Sequence, residues 1–291
     1  MGKISRSIKN EFCFSLASVA IIWQFLFLYI PLLILLINGF WGHSDSVQSS
    51  GFSFAYYSWI FSFIFLKILF NSFFLALQTT LICLMVAYPL AYFLVFKISR
   101  VREMALLMLI LPSWTNIVIQ IYSWFFLLKQ DGFFSLLFYK MGFLSQPVHM
   151  LNNGLATLIV MVYCYLPFMT LPIYSSLFKI KRSLLEASAD LGANRYLTLK
   201  KIVFPLSVHG VLTGVFLVFI PAFGEFAIPE FMGGAKKMFW GNLITSKFMN
   251  YCDWRSGAAV TCGGIIFVLL IFLLFYSFYR FLRFIKGLLY F

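Results

Sequence analysis

Few side chains in this sequence could act as a general acid or base, because only nine of the 291 residues are acidic and three are histidine. The histidines (His43, His149 and His209) are far apart and lack metal-ligand spacing. No intramembrane aspartate pair, H-E-x-x-H or G-x-S-x-G motif occurs, so the sequence predicts neither a catalytic site nor a metal site. The five cysteines form no C-x-x-C pair and are interpreted as packing residues: Cys13, Cys83, Cys164, Cys252 and Cys262.

Glu225 is the acidic residue whose surroundings favour a function. It lies between Pro221 and Pro229, near the outer end of an apolar stretch, where a buried acid costs a few kcal/mol unless it is paired or hydrated. Two interpretations stay open: the carboxylate attracts a cation, or it lies at the headgroup boundary or pairs with a neighbouring subunit. Gly224 and the flanking prolines suggest a broken helix lining a cavity, which favours a transport path.

Four further residues are candidates for the same path. Glu230 and Asp253 lie in the same outer loop, and they either help to dock a partner protein or guide a cation, or are ordinary solvated charges, which is the commoner role. Trp114 and Tyr122 offer aromatic faces to an ammonium group, as do Trp124, Tyr163 and Tyr165, although packing and lipid contact are the commoner roles for any one of them. Asn116 lies four residues before Gln120 on one helix face, and such amides often bond between helices.

These residues must be positioned by membrane-spanning helices. With 62% hydrophobic residues, 11% charged residues and a mean hydropathy of +0.94, the composition excludes a soluble globular protein. The apolar stretches are long and do not alternate with a period of two, so they predict an all-α integral membrane protein rather than a barrel. One transmembrane domain over 1–291 is expected, with six spans at about 12–40, 68–96, 104–128, 154–177, 206–228 and 257–279.

Two shorter apolar segments, 52–66 and 132–144, are interpreted as helices lying in the headgroup region. The first is too short to span and is closed by Lys67.

The basic residues predict the orientation of the spans. The net charge is +13, and the basic residues occur in short groups between the apolar stretches. A nucleic-acid-binding protein would instead cluster its basic residues on one soluble face. The positive-inside rule assigns the larger set of basic loops, and with it both termini, to the cytoplasm. That set contains 15 of the 22 basic residues: Lys3, Arg6, Lys9, Lys97, Arg100, Arg102, Lys179, Lys181, Arg182, Arg195, Lys200, Lys201, Arg280, Arg283 and Lys286.

Loop 178–203, between the fourth and fifth spans, is the most polar stretch of the chain. Glu186 and Asp190 lie four residues apart, and Gly192 then marks a helix end or a bend. A second short helix over 194–204 leads to Pro205, which opens the next span. This pattern predicts a helix-turn-helix along the membrane surface, able to transmit a push. Its apolar stripe consists of Leu184, Leu185, Ala189 and Leu191.

The loop resembles the EAA motif of ABC importer permeases, in which E-A-A is followed by G after three residues and by I-x-L-P after nine more. This sequence has Glu186, Ala187, Ser188, Gly192, Ile202, Phe204 and Pro205 at those places, departing only at Ser188 and Phe204. The resemblance implies that Glu186 to Gly192 is the coupling helix, and that the chain has the six-helix fold of such permeases.

Within that class, the chain is similar to the B-type permeases of spermidine/putrescine importers. The stretches that carry this similarity are 111–128, 166–180, 184–207, 219–244 and 253–259, including the pieces MGGAK-x-x-x-x-GN and DW-x-x-GAA.

The resemblance implies a bacterial inner-membrane importer. Its partners would be a C-type permease, two copies of a cytoplasmic ATPase that binds ATP and Mg, a periplasmic polyamine-binding protein and membrane lipid, but no nucleic acid. The chain itself would bind no cofactor and would not be an enzyme.

Other readings stay open. The same kind of importer could carry iron, sulfate or thiamine. A stand-alone secondary transporter or a membrane scaffold is a further alternative, although intramembrane charges are scarce and no internal repeat is evident.

Overall fold

The structure is a computed structural model that describes residues 18–43, 50–52, 55–98, 101–142, 150–234 and 237–288. Cys13 and the first residues of the predicted first span therefore lie outside the described residues. The chain divides into two compact units, residues 1–66 with 244–291 and residues 67–243, and each is described by itself. The expectation of one transmembrane domain stays a prediction.

Helices form nearly all of the described structure. In chain order the elements are α1 (Ser18–Phe40), β1 (Trp41–His43), β2 (Ser50–Phe52), α2 (Ala55–Ser58), α3 (Phe63–Phe96), α4 (Arg102–Ile110), α5 (Ile117–Leu128), α6 (Phe133–Lys140), α7 (Gly154–Phe178), α8 (Arg182–Asp190), α9 (Arg195–Gly224), α10 (Ala227–Gly233), α11 (Trp240–Thr245) and α12 (Trp254–Leu288).

The all-α membrane class is confirmed. Among the described residues, five helices are long and apolar enough to cross a membrane, or six if the bent pair formed by α4 and the α5–α6 segment is one span. One feature was not predicted, an antiparallel hairpin of three-residue strands in which Trp41 pairs with Phe52 and His43 with Ser50.

In the first unit, α1 approaches α2 and α12 closely at Gly39. A Cβ atom built on Gly39 would lie 2.7 Å from the Tyr57 hydroxyl and 3.5 Å from the Ala259 nitrogen. The neighbouring Phe40 ring stacks on Tyr57 with centroids 4.6 Å apart. A side chain at position 39 would therefore require the Tyr57 hydroxyl to move, so a small residue favours this crossing.

Asp253 caps the start of α12, a role that the sequence did not predict, while its side chain stays 37% exposed. Its Oδ1 accepts a hydrogen bond from the Ser256 N–H at 3.1 Å, and its Oδ2 lies 3.8 Å from Lys247 Nζ. Burial raises the pKa of Asp253, but the Ser256 hydrogen bonds and the Lys247 charge outweigh that effect and leave the pKa below its usual value.

In the second unit, α7 and α9 pack closely through the G-x-x-x-G pair Gly210 and Gly214 on α9. A Cβ on Gly210 would lie 2.5 Å from the Pro172 carbonyl oxygen, and one on Gly214 would lie 2.7 Å from Met169 Sδ. Such small residues let helix backbones approach closely within a membrane. Polar contacts join α3 to both helices, since Thr79 donates to Met161 Sδ of α7 at 3.8 Å and the Tyr88 and Ser207 hydroxyls lie 3.1 Å apart.

The third predicted span, 104–128, is wrong as a continuous helix. The α4 helix ends in a 3-10 turn at Leu111–Trp114, and the chain bends by 94° before α5 begins at Ile117. The Asn116 side chain caps α5 by accepting from the Val118 N–H at 2.8 Å. The segment continues through α6, so 132–144 contributes a helix that extends this bent pair.

The fifth predicted span, 206–228, is wrong at both ends. The helix begins at Arg195, because the predicted second loop helix continues through a π-helical turn into the span, and Pro205 lies in the first α-helical turn after it. The helix ends at Gly224, and Glu225 has an extended backbone before α10. The break suggested by Gly224 is therefore present.

Two smaller expectations also need correction. The predicted interfacial segment 52–66 includes the short helix α2, but its last residues and Lys67 belong to α3, which starts at Phe63 instead of 68 because the whole stretch is apolar. Three of the described cysteines are buried, as expected of packing residues, whereas Cys252 is exposed.

Candidate functional site

The helix α8 is an amphipathic helix with an exposed acidic face. Glu186, Ala187 and Asp190 are exposed to solvent, as predicted for the first and last of them. The buried side was predicted less well, because Leu184 and Ala189 are exposed and Leu191 is 88% exposed. The isolated chain therefore presents apolar as well as acidic side chains on this helix.

Ser188 is the residue that attaches α8 to α9. Its side chain is only 6% exposed, donates to the Leu185 carbonyl oxygen at 2.8 Å, and lies 3.0 Å from the Thr198 hydroxyl of α9. An alanine would fit the same space without these bonds. Ser188 is thus more than a size-tolerant replacement, which the sequence pattern could not indicate.

Gly192 ends α8 in the left-handed conformation, with φ +80°. The Gly192 N–H donates to the Ala189 carbonyl at 2.9 Å and the Ala193 N–H to the Ser188 carbonyl at 3.0 Å, which is a Schellman cap. A Cβ built on Gly192 meets nothing within 4 Å, so the requirement for glycine comes from the backbone and not from crowding.

Ile202 and Pro205 lie on α9 beyond this joint. Asn194 caps the helix by accepting from the Leu197 N–H at 2.8 Å, and a π-helical turn follows at Leu199–Val203. Ile202 is half-buried and Pro205 is exposed. Because α9 is one helix of 30 residues, about 45 Å long, it joins the α8 joint directly to Glu225.

At the far end of α9, the Glu225 carboxylate is paired inside the chain. Its Oε2 accepts from the Tyr165 hydroxyl of α7 at 2.7 Å, and its Oε1 accepts from the N–H groups of Phe226 and Ala227 at 3.1 and 3.0 Å. The carboxylate therefore satisfies backbone donors at the start of α10 while staying partly accessible.

Glu230 belongs to the same region, through Asn242. The Asn242 amide of α11 donates to the Phe226 carbonyl at 3.1 Å and also to the Glu230 carboxylate. Asn242 is 9% exposed, and its Oδ1 has no hydrogen-bond partner among the residues that the structure describes. We name Glu225, Glu230, Tyr165 and Asn242 the acidic break.

The three candidates near the α4–α5 bend have mixed placements. Tyr122 packs against α10, its ring 5.3 Å from Phe231, and so reaches the acidic break region. Asn116 is occupied as the cap of α5, and Trp114 is 75% exposed at the end of the 3-10 turn. The site residues therefore do not form one cluster: α8 and the acidic break lie at opposite ends of α9.

Sequence reasoning missed Tyr165 and Asn242 as partners of the two acids. Tyr165 was considered only as one of many aromatic residues, and Asn242 only within the GN piece of a motif. Gln120 was expected to form a hydrogen bond between helices. Its side-chain amide donates to the Pro112 and Thr115 carbonyl oxygens within the bend, and its Oε1 accepts from the Cys164 thiol of α7 at 3.4 Å. In the sequence, these residues are marked only as polar residues within an apolar stretch, and that does not identify their hydrogen-bond partners.

Comparison with known families and proteins gives consistent matches. The family model described as "Binding-protein-dependent transport system inner membrane component" matches residues 12–286. The "Spermidine/putrescine transport system permease protein PotB" of Escherichia coli (strain K12) is 36% identical over 240 residues, covering 82% of this chain and 87% of that protein. The protein of the same name from Haemophilus influenzae is 33% identical over 264 residues, covering 90% and 92%.

A solved structure shares the fold. The crystal structure of a bacterial alginate ABC transporter in complex with an alginate pentasaccharide-bound periplasmic protein contains a chain that superposes with a TM-score of 0.68. That chain is 18% identical, with coverage of 92% of this chain and 94% of the other.

Proposed function

Because this chain belongs to the family of binding-protein-dependent transport system inner membrane components, we propose that it is a permease subunit of an ABC importer for polyamines. It would form half of the translocation path. The observation that carries the substrate class is its 36% identity, over most of both chains, to a spermidine/putrescine transport permease.

The partners follow from this assignment. A second permease completes the path, two copies of a cytoplasmic ATPase supply ATP hydrolysis with Mg, and a periplasmic binding protein delivers the polyamine. The subunit lies in the bacterial inner membrane with both termini and loop 178–203 in the cytoplasm, where the positive-inside rule assigns them. This chain hydrolyses nothing itself.

In this proposal α8 is the coupling helix. Its exposed acidic and apolar residues, among them Glu186 and Leu191, form the surface that the ATPase binds. Closure of the two ATPases displaces α8, and the Ser188–Thr198 contact with the Gly192 cap passes that displacement to α9 as a rigid body. The far end of α9 carries Glu225, so the acidic break moves with it.

The acidic break is the proposed polyamine-facing part of the path. A polyamine carries several ammonium groups, each of which needs hydrogen-bond acceptors or aromatic faces once it leaves water. Glu225 and Glu230 offer carboxylate oxygens, and Tyr122 offers an aromatic ring that packs against Phe231 of α10. These are the groups that an ammonium ion requires.

The test is uptake of radiolabelled spermidine by cells that have lost their own polyamine importers and express this chain with its partner subunits. We expect ATP-dependent uptake that unlabelled spermidine or putrescine suppresses and that ferric ion, sulfate or thiamine leaves unchanged. Uptake suppressed by one of those other solutes would reassign the substrate. Uptake driven by an ion gradient without ATP would instead indicate a secondary transporter.

A further inference from the structure

A cavity of about 670 Å³ lies where the end of α3 meets α8 and the beginning of α9. It lies in the second unit, at the end of the helices opposite the acidic break. Its volume falls in the range of small-molecule sites, about 300–1,000 Å³. The polyamine path does not account for a cavity beside the coupling helix.

The charged walls of the cavity are basic. Lys97 follows the last turn of α3, Arg195 opens α9, and none of the residues described as lining the cavity is acidic. The first turn of α9 adds the positive end of a long helix dipole, while Lys97 offsets the negative end of α3. The cavity is therefore suited to an anion.

The remaining walls are apolar or aromatic. Leu185 and Leu199 line the cavity from α8 and α9, and Tyr88 lines it from α3. The Tyr88 ring lies 6.0 Å from Phe204, which is 51% exposed on the outer surface of α9. An exposed aromatic side chain of α9 therefore lies directly beside the apolar wall of the cavity, where an acyl chain could pack against it.

We propose that this cavity binds the headgroup of an anionic phospholipid, such as phosphatidylglycerol or cardiolipin, from the leaflet beside loop 178–203. A free phosphate ion would use Lys97 and Arg195 only, whereas a phospholipid uses the cations and the apolar walls together. Anionic lipids at the cytoplasmic face attract basic groups of this kind. The proposal rests on the cytoplasmic orientation given under the proposed function.

The bound lipid would affect coupling. Its phosphate would join Lys97 of α3 to Arg195, one residue beyond the Asn194 cap and three from Thr198, which contacts Ser188. The α8–α9 joint would then be held against α3, so that displacement of α8 is passed on to the spans. Transport by the complete importer would depend on anionic lipid.

The experiment is native mass spectrometry of the full-length chain, purified with whatever subunits accompany it from nanodiscs of phosphatidylethanolamine with or without phosphatidylglycerol. Wild type should retain phosphatidylglycerol in preference to phosphatidylethanolamine. Removing both cations, K97Q with R195Q, should weaken that retention by about tenfold or more. The control K179Q with K181Q removes the same charge from exposed positions that do not line the cavity, and should retain the lipid.

Three results would overturn the proposal. Equal loss in both variants would mean general attraction to an anionic surface. Displacement of the lipid by millimolar inorganic phosphate would mean a site for a free anion, and absence of lipid whenever an ATPase is attached would mean that the partner covers the cavity. Retention is measured without ATP or spermidine, so failure here is distinguishable from failure of the proposed transport function.

Discussion

At the scale of single residues, the structural role of Glu225 can be separated from its proposed role in transport. Its carboxylate accepts two backbone N–H bonds and the Tyr165 hydroxyl bond, and its proposed role is to attract a cation by its charge. An amide keeps an acceptor for the backbone donors but removes the charge. The structural role and the transport role therefore predict different phenotypes.

We expect E225Q to lower spermidine uptake about tenfold, because a hydrogen bond to a charged group is worth about 1 to 1.5 kcal/mol more than one to a neutral group, and that difference corresponds to about tenfold in binding. The matched variant Y165F removes one partner and keeps the charge, and should lower uptake less. Uptake is measured alongside the amount of assembled complex in the membrane. Normal uptake by E225Q, with loss of assembly only in E225A, would make Glu225 a purely structural cap.

Gly192 gives a second residue-scale prediction. Because its φ is +80° and its surroundings are open, G192V should strain the α8 cap by about 1–2 kcal/mol and impair transport, whereas G192N should be tolerated, since asparagine adopts this conformation more readily. Transport rates of the two variants, normalised to membrane expression, decide this. Equal impairment by both would show that the side-chain space matters and not the backbone.

At the scale of elements, α8 tests the ATPase contact. We expect E186K to reduce the amount of ATPase recovered with the chain about fivefold, because reversing an exposed charge in an interface weakens association. The helix itself should be undisturbed, since the Glu186 side chain is exposed. The control E103K makes the same reversal at exposed Glu103 in the first turn of α4. Recovery of ATPase that is unchanged by E186K would remove α8 as the contact.

The α7–α9 contact gives the sharpest packing prediction. G210A should lower the stability of the chain by about 1–3 kcal/mol, because its Cβ would meet the Pro172 carbonyl oxygen and the backbone must move. G214A should cost less, since the nearest atom belongs to the flexible Met169 side chain. Thermal unfolding of the purified chain measures both, with G154A as a control whose Cβ meets nothing within 4 Å. Equal stability of G210A and G154A would contradict the close crossing.

Prolines show why the element boundaries could be predicted only in part. Pro167 and Pro172 lie inside α7, and Pro221 lies inside α9, without ending either helix. Pro112 lies in the 3-10 turn at which the third span bends. The bend also requires Asn116 to cap α5 and Gln120 to bond back to Pro112, and these contacts depend on three-dimensional placement.

At the scale of the whole molecule, composition and long apolar stretches were sufficient to predict an all-α membrane protein, because the hydrophobic thickness of a bilayer dictates span length. The helix-turn-helix of loop 178–203 was also predictable from its polar pattern and Gly192. The pairing of Glu225 with Tyr165 was not, since those residues are 60 positions apart and a sequence pattern carries no information on which helices pack together.

The continuity of α9 is the finding that most changes the expected mechanism. One helix of 30 residues, with a π-helical turn at Leu199–Val203, connects the residues beside α8 to Gly224. We expect displacement of α8 to reach the acidic break along this helix. This connects the proposed ATPase contact to the proposed polyamine path within one subunit.

The rate of ATP hydrolysis by the complete assembly, reconstituted in lipid vesicles with its binding protein, tests whether this chain couples a polyamine path to an ATPase. We expect slow hydrolysis with the substrate-free binding protein and severalfold faster hydrolysis when that protein carries spermidine, but no change with sulfate or thiamine. Hydrolysis that is indifferent to spermidine, or a chain that purifies without any ATPase, would contradict this coupling.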